Sequence, residues 1–367
     1  MIKARLHSHF LLVFAVAACG GEEGGGDGAS FITLKSKSTP RQSLTPAATP
    51  APAPAPVTTA ASSLLPYIDV SKIPAAAVGF SAERIRAGYP HEAGPSQNTD
   101  GSGQFRMTCD FSHMSFNDPI VAPGRPGASH LHVFFGNTAI DHSSTQQSIE
   151  QTGNSTCAGG TANRTGYWVP AIIDTKDGTP LKPLQMMVYY KSNVYPGSTV
   201  RAKPAGLRMI AGDMMASAPQ QRVYWECIKA SGETERSSSI PANCPVGGTI
   251  EVTVEFPECW DGVNLDSPDH KSHMAYPVNS VGCPTSHPVQ LPHLTEKVRY
   301  AVTEEVSTAR WRLSSDNYDK TLPGGYSIHA DWFNGWVPAL QNTWVKNCLQ
   351  AKRDCHAFLL GDGTTLY

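Results

Sequence analysis

Histidines in a strand-like segment are the first feature of this chain that could do chemistry. His130 and His132 stand two residues apart in an apolar run that ends at Phe135. In an extended strand, such residues project from one face with Cα atoms roughly 6.6 Å apart, so both imidazoles can reach one metal ion. Later histidines could complete the ligand set, and neighbouring aspartates could orient an imidazole or act as a base. These residues are His273, His329, Asp269 and Asp331.

Two kinds of chemistry fit these residue types. Three neutral imidazoles with an open coordination position favour Zn, Cu, Mn or Fe, and a metal-bound water could then act as a nucleophile or be held for redox chemistry. Without a metal, histidines and aspartates could cleave a glycosidic bond by acid/base chemistry, which needs two carboxyls roughly 5 to 9.5 Å apart. The aspartates considered for this role are Asp110, Asp118, Asp174, Asp316 and Asp331.

A structural role is the alternative, in which the histidines bind backbone groups or carboxylates and fix long loops. Weighing these options, we take one set of residues as candidate metal ligands and another as candidate catalytic residues. The candidate ligands are His130, His132, His273 and His329, and the candidate catalytic residues are Asp331, Asp269 and His113.

Tryptophans next to polar residues, as in the segment 331–336, could stack on sugar rings or fill the core of the fold. Common catalytic motifs are absent from the sequence. It contains no Gly-x-Ser-x-Gly, His-Glu-x-x-His, Gly-x-x-x-x-Gly-Lys or Gly-x-Gly-x-x-Gly. This argues against esterases, zincins, P-loop nucleotide hydrolases and Rossmann dehydrogenases.

The elements that must position these residues are mainly strands. Apolar and polar residues alternate through Thr249–Phe256, the period of a half-buried strand. Strands are also predicted at 130–135, 167–173, 186–190, 222–228 and 298–306, and helices only at 143–151 and 336–349. Because strands do not alternate with long helices, we predict a mainly β fold, an antiparallel β-sandwich with long Pro/Gly-rich loops and few short helices.

The N-terminal 63 residues indicate export and tethering. Residues 1–18 are typical of a signal peptide, and Val16–Gly20 resembles the lipobox of bacterial lipoproteins, in which Cys19 becomes the lipidated first residue. An ordinary secretory signal cleaved nearby is the alternative. The Gly/Pro/Ala/Thr-rich residues 19–63 predict a disordered tether, and 64–367 a single globular domain. We therefore expect an extracytoplasmic outer-membrane lipoprotein, on the periplasmic or the surface face.

Charge and cysteines support this location. The formal net charge of −2 gives no basic footprint for nucleic acid. Beyond Cys19 there are eight cysteines, an even number that predicts four disulfides in an exported chain, although spacing does not choose the connectivity. Pairing of the neighbours Cys348 and Cys355 is one option. No Cys-x-x-Cys occurs, so neither a zinc ribbon nor a thioredoxin-type redox pair is indicated.

Five motifs in order resemble an uncharacterised secreted domain-of-unknown-function family of bacteria and fungi. They lie at 110–121, 123–132, 259–266, 269–277 and 329–336. Fungal members often stand beside WSC carbohydrate-binding modules, so the resemblance implies an extracytoplasmic location and an association with carbohydrate or cell wall. The positions that match the family's His/Asp pattern are His130, His132, Asp269, His270, His273, His329 and Asp331.

Our functional hypothesis is a membrane-tethered lipoprotein whose His/Asp-lined pocket acts on or binds polysaccharide. It would be a glycoside hydrolase-like or metal-dependent hydrolase. The alternatives are a non-catalytic glycan-binding or adhesion lipoprotein and a metal-sequestering surface protein. The expected partners are the membrane, through lipid at Cys19, and polysaccharide; the oligomeric state is not predicted.

Overall fold

Two sheets of unequal size form the framework of the computed structural model, which describes residues 64–88, 94–95, 100–278, 281–303, 308–356 and 358–367. The predicted signal peptide, Cys19 and the tether lie outside the described residues. The first eleven strands are β1 (Ile85–Ala87), β2 (Gly94–Pro95), β3 (Gln104–Cys109), β4 (Phe111–Ser115), β5 (His132–Gly136), β6 (Gly166–Pro170), β7 (Ile172–Asp174), β8 (Thr179–Pro180), β9 (Gln185–Lys191), β10 (Arg208–Gly212) and β11 (Val223–Ile228). The other ten are β12 (Thr234–Ser237), β13 (Thr249–Glu255), β14 (Cys259–Trp260), β15 (Met274–Ala275), β16 (Val289–Gln290), β17 (His293–Ala301), β18 (Trp311–Leu313), β19 (His329–Phe333), β20 (Arg353–Cys355) and β21 (Thr364–Leu366).

Helices are few and short in the described part of the chain. They are α1 (Gln146–Gln151), α2 (Pro338–Trp344) with a π-helical continuation at Val345–Gln350, and 3₁₀ turns at Val70–Lys72 and Thr308–Arg310. Thr145 caps α1 by accepting a hydrogen bond from the Ser148 amide. None of these helices has the length and apolar character needed to cross a membrane.

Strand pairing is antiparallel except where β20 runs parallel to β3. The larger sheet has eight strands in the order β12-β11-β13-β17-β9-β3-β20-β2, and the smaller has five in the order β10-β19-β6-β5-β4. Three small sheets, β1-β21, β15-β14-β16 and β18-β7-β8, complete the pairing. The mainly β antiparallel fold predicted from the sequence is confirmed.

The main core lies between the two large sheets. One buried cluster joins side chains of the larger sheet, such as Tyr190, to side chains of the smaller sheet, such as Tyr167. The hydroxyls of these two tyrosines are 3.0 Å apart, and the Trp336 indole donates to the Tyr190 hydroxyl at 3.3 Å. The fold is therefore a sandwich, and hydrogen-bonded aromatic side chains from both sheets meet in its interior.

Strand β13 is more deeply buried than its alternating sequence indicates. Its polar residues Glu251 and Thr253 are as inaccessible as the apolar ones, because β13 lies between β11 and β17. Lys297 and Arg299 on β17 cover Glu251 and donate to its two carboxylate oxygens at 2.6 Å. The period-two pattern correctly predicted a strand, but ion pairing buries the face expected to meet solvent.

Four disulfides fix the loops. They join Cys109 to Cys157, Cys227 to Cys244, Cys259 to Cys283 and Cys348 to Cys355. The predicted number is confirmed. Each bridge joins cysteines that are consecutive along the described chain.

Candidate metal centre

The centre lies on the outer face of the five-stranded sheet, away from the main core. A second buried cluster, which includes Phe134 and Trp168 of the sheet and Ile120 and Ile140 of the connecting segments, covers this face. Asp331 of β19 pairs with Trp168 of β6, and His132 of β5 pairs with Pro170 of β6. Extending this antiparallel register places His329 across from Pro170, so that His132 and His329 flank one residue of the middle strand.

His132 and His329 point their Nε2 atoms at each other across a distance of 3.4 Å. Nδ1 of His329 lies 3.0 Å from the Ser327 carbonyl oxygen, and Nδ1 of His132 lies 3.3 Å from the Asn117 carbonyl oxygen. The Ser129 hydroxyl, which can accept or donate, also lies 3.2 Å from Nδ1 of His132. Carbonyl oxygens only accept hydrogen bonds, so we assign the ring proton to Nδ1 in both residues, with Nδ1 of His132 donating toward the Asn117 carbonyl oxygen. Each Nε2 then carries a lone pair, the orientation in which histidine binds a metal ion.

His130 completes a group of three imidazoles. Its ring centroid is 4.2 Å from that of His132 and 5.0 Å from that of His329. One ligand nitrogen from each residue lies within 4.8 Å of the other two. Nε2 of His130 is buried and has no hydrogen-bond partner among the described residues. The structure thus brings together three of the four predicted metal ligands.

Two buried carboxylates adjoin the histidines. Ligand atoms of Asp118, His132 and Asp331 also lie within 4.8 Å of one another. Oδ1 of Asp118 accepts from the backbone amides of Ile120 and Val121, both at 2.8 Å. Asp331 is fully buried, its Oδ2 is 3.9 Å from Nε2 of His329, and neither of its oxygens has a hydrogen-bond partner within the described chain. An unpaired buried carboxyl is costly and therefore calls for a functional explanation.

Burial sets the protonation states of these groups. It lowers the pKa of His132 to about 3 and, with the nearby His132 ring, lowers that of His329 to about 3. Burial and the two neighbouring imidazoles also hold the pKa of His130 well below its usual range. Burial, with charges on Asp118 and Glu296, raises the pKa of Asp331 well above its usual range. At neutral pH the three histidines are uncharged, as metal ligands must be.

A cavity of about 480 Å³ reaches the centre from solvent. His130 lies in its wall, whereas His132 and His329 are buried behind. The other lining side chains carry no formal charge and divide into an apolar group and a hydroxyl or amide group. The apolar group includes Leu65, Ile68, Phe116, Met214 and Met215; the polar group is Ser129, Ser314, Ser315 and Asn317, with the Tyr318 hydroxyl.

The fourth predicted metal ligand, His273, has a different environment. Its Nδ1 lies 2.9 Å from the Ser267 hydroxyl and its Nε2 2.7 Å from the Arg208 carbonyl oxygen. Both ring nitrogens are therefore in use, and His273 ties its loop to the edge strand β10. Sequence spacing could not distinguish this role from that of His329.

The predicted catalytic residues also separate, since only Asp331 belongs to the centre. Asp269 is on the surface, where its Oδ1 accepts from the Lys271 and Ser272 amides; these bonds keep its pKa well below the usual range. It organises a turn. His113 stacks on Phe134 with ring centroids 4.6 Å apart, and burial lowers its pKa to about 4. It belongs to neither set of converging ligand atoms.

The sequence predicts Asp118 only as a possible acid/base aspartate, not as a site residue. Its position depends on a loop that folds over the sheet, which local sequence does not show. The tryptophans, in turn, pack inside: six of the seven are buried, and Trp260 is half-buried. They offer no exposed aromatic platform of the kind considered for sugar stacking.

Comparison with known proteins gives one match. A family model described as "Domain of unknown function (DUF1996)" matches residues 118–336. The matched segment begins at Asp118 and includes every residue of the centre. Neither the curated proteins nor the solved structures gave a match.

Proposed function

The chain belongs to the DUF1996 family, a domain of unknown function, and from the geometry of its centre we propose that it binds one transition-metal ion. The ligands are the Nε2 atoms of His132 and His329 and a ring nitrogen of His130, with the Asp331 carboxylate beside them. This set of nitrogen and oxygen donors suits Zn, Cu, Mn or Fe.

One observation carries this proposal. Two imidazole Nε2 atoms whose Nδ1 atoms both face backbone carbonyls lie 3.4 Å apart. With their protons on Nδ1, neither Nε2 can donate to the other, and two facing lone pairs repel. A cation between them, shared with His130, removes this repulsion and also supplies a partner for Asp331.

The chemistry that follows is metal-assisted hydrolysis. A metal ion held by His130, His132 and His329 would act as a Lewis acid and would activate water for hydrolysis. The carbonyls of Asn117 and Ser327 hold the two buried rings in place, and Asp331 supplies negative charge or accepts a proton from water. Closure of the sheet face by Phe134 and Trp168 keeps other water from the buried side of the centre.

Metal titration of the full chain tests the proposal. Protein stripped with a chelator should bind about one equivalent of Zn²⁺ or Cu²⁺ in calorimetry. His329→Ala should weaken binding by about 100-fold or more, since even loss of an outer-shell partner costs 10–100-fold. His356→Ala is the matched control, because His356 is exposed and outside the centre. Absence of binding by the parent chain, or equal loss in both variants, would contradict a metal site here.

We propose polysaccharide as the substrate class. Its support is the family resemblance, together with a cavity beside His130 whose other lining residues carry no formal charge, as suits a neutral sugar. Metal-loaded chain incubated with a panel of polysaccharides should release new reducing ends, and His130→Ala/His132→Ala should abolish this release. Binding without product, unchanged in the double variant, would instead indicate a glycan-binding protein.

We also propose that the domain is extracytoplasmic and anchored by lipid at Cys19. The four disulfides support the extracytoplasmic location, because such bonds persist in oxidising compartments. Cys19→Ala should move the protein from the membrane fraction to the soluble fraction. An unchanged distribution would argue for an ordinary secretory signal.

A further inference from the structure

Two adjacent methionines stand at the cavity beside the metal centre. Strand β10 ends at Gly212, which pairs with His329. One residue later, Met214 and Met215 line the same cavity as His130. Strand pairing to a proposed ligand therefore brings two methionine residues to the cavity whose wall contains His130.

The loop that carries the methionines is fixed by its own hydrogen bonds. Oδ1 of Asp213 accepts from the Met215 amide at 2.9 Å, and the Asp213 carbonyl accepts from the Ala216 amide at 3.2 Å. The Gln220 side chain accepts from the Asp213 amide at 2.8 Å and donates to the Ile328 carbonyl at 2.9 Å. This last bond ties the loop to the residue before His329, so the methionines and the histidines share one support.

Exposure of the methionines suits contact with an incoming ion. Met215 is 75% exposed, and Met214 is half-buried. A side chain this exposed adds little to the core. Both methionines also line the cavity that holds His130.

The chemistry of the donors narrows the choice of metal. Thioether sulfur is a soft ligand that selects Cu(I), whereas imidazole binds Cu, Zn and Fe alike. Mn²⁺ and Mg²⁺ prefer oxygen ligands and gain nothing from sulfur. Resting on the metal site proposed above, we propose that its metal is copper, captured as Cu(I) by Met214 and Met215 and passed to His130, His132 and His329. Only ligand exchange is needed, and the oxidation state does not change.

Competition for Cu(I) tests this proposal. Metal-free full chain is titrated without oxygen against a chromogenic Cu(I) chelator, and separately with Zn²⁺. Met214→Leu/Met215→Leu keeps apolar bulk but removes sulfur. We expect it to slow Cu(I) uptake and lower Cu(I) affinity by about tenfold or more, the scale for losing a supporting group at a metal site. Zn²⁺ affinity should change less than about twofold.

Control measurements distinguish failure of the copper proposal from failure of the metal site. Met187→Leu, on β9 and outside the cavity lining, should behave like the parent chain, and circular dichroism checks that each variant is folded. If the double variant takes up Cu(I) like the parent, or loses Zn²⁺ equally, the copper-capture role is overturned while the metal site stands. If the parent binds neither ion, the proposed metal site itself fails.

Discussion

Replacing Asp331 by asparagine should change the stability of the metal-free protein little but weaken the stabilisation that metal provides. In the metal-free chain, burial raises the pKa of Asp331 well above its usual range, which favours the uncharged carboxyl. It has no hydrogen-bond partner among the described residues, so none is lost on substitution. Asparagine has nearly the same shape, and we expect the free energy of unfolding to change by less than about 1 kcal/mol.

In the metal-bound protein, Asp331→Asn should cost more stability, because it weakens metal binding. Removing a charged group at a metal centre typically weakens binding 10–100-fold, or about 1.4 to 2.7 kcal/mol. Metal at 100 times its Kd stabilises the parent by about 2.7 kcal/mol. With an unfolding entropy of about 2.1 cal/mol/K per residue over about 300 residues, this raises Tm by about 4 °C. At the same free metal concentration, Asp331→Asn should rise by only about 1 to 2 °C.

Asp316→Asn is the matched control, because Asp316 is equally buried but fully hydrogen-bonded. Its Oδ2 accepts from the Leu313 and Gly325 amides, both at 2.9 Å, and its Oδ1 from the Ser327 hydroxyl at 2.7 Å. An amide nitrogen cannot accept these bonds, so unfolding free energy should fall by about 3 kcal/mol or more. The response of Tm to metal should be unchanged.

Differential scanning calorimetry, with and without Zn²⁺ or Cu²⁺, measures for each of the two variants the stability of the metal-free protein and the rise in Tm that metal causes. If Asp331→Asn destabilises the metal-free chain as much as Asp316→Asn does, Asp331 has a structural partner and its proposed role at the metal centre is contradicted. The same role is contradicted if Asp331→Asn keeps the full metal-induced rise in Tm.

Three further predictions concern stability. Replacing Cys109 and Cys157 by alanine removes a bridge across 48 residues and should cost about 4 kcal/mol in chemical denaturation; no measurable loss would contradict this. Burial lowers the pKa of Lys203 to about 7, so between pH 7 and 10.5 the unfolded chain holds more protons than the folded chain, and stability should rise with pH across that window. In urea unfolding, Lys203→Met should be more stable than the parent by on the order of 4 kcal/mol at pH 6. Above pH 10.5 the two proteins should be equally stable. Burial raises the pKa of Glu258, but hydrogen bonds from His293 and two other side chains outweigh burial and lower the pKa overall. The stabilisation that ionised Glu258 provides is therefore present above pH 4.5 and lost as pH falls through its lowered pKa. The urea midpoint of Glu258→Gln should accordingly depend less on acid pH than that of the parent.

The fold class could be predicted because strand periodicity is local. The alternation at Thr249–Phe256 corresponds to β13, and the run at 186–190 lies within β9. The run at 167–173 is instead two strands, β6 and β7, that belong to different sheets. Pairing of distant strands decides that division, and local pattern carries no information on it.

A predicted strand boundary was wrong where a buried acidic side chain interrupts the apolar pattern. Strand β17 is His293–Ala301, five residues earlier than the predicted start at 298. Glu296, fully buried within it, reads as a surface residue in sequence. The structure buries it between two other strands of the large sheet, a context that only the assembled sheet provides.

The site was partly predictable for a related reason. Spacing sufficed to pair His130 with His132, although β5 begins at His132 and His130 lies just before the strand predicted to carry both. The choice between His273 and His329 depended on cross-strand register, since His329 faces His132 across β6 whereas His273 bonds to the Arg208 carbonyl oxygen. Asp118 entered the centre through a loop, for which no periodicity exists.

X-ray absorption at the metal edge, with elemental analysis of untagged full-length protein, tests the metal centre most directly. We predict about one transition-metal ion per chain, with two or three nitrogen neighbours near 2.0–2.1 Å that show imidazole scattering. Less than about a tenth of an equivalent after reconstitution with Zn, Cu, Mn and Fe, or a metal shell without imidazole, would contradict the account.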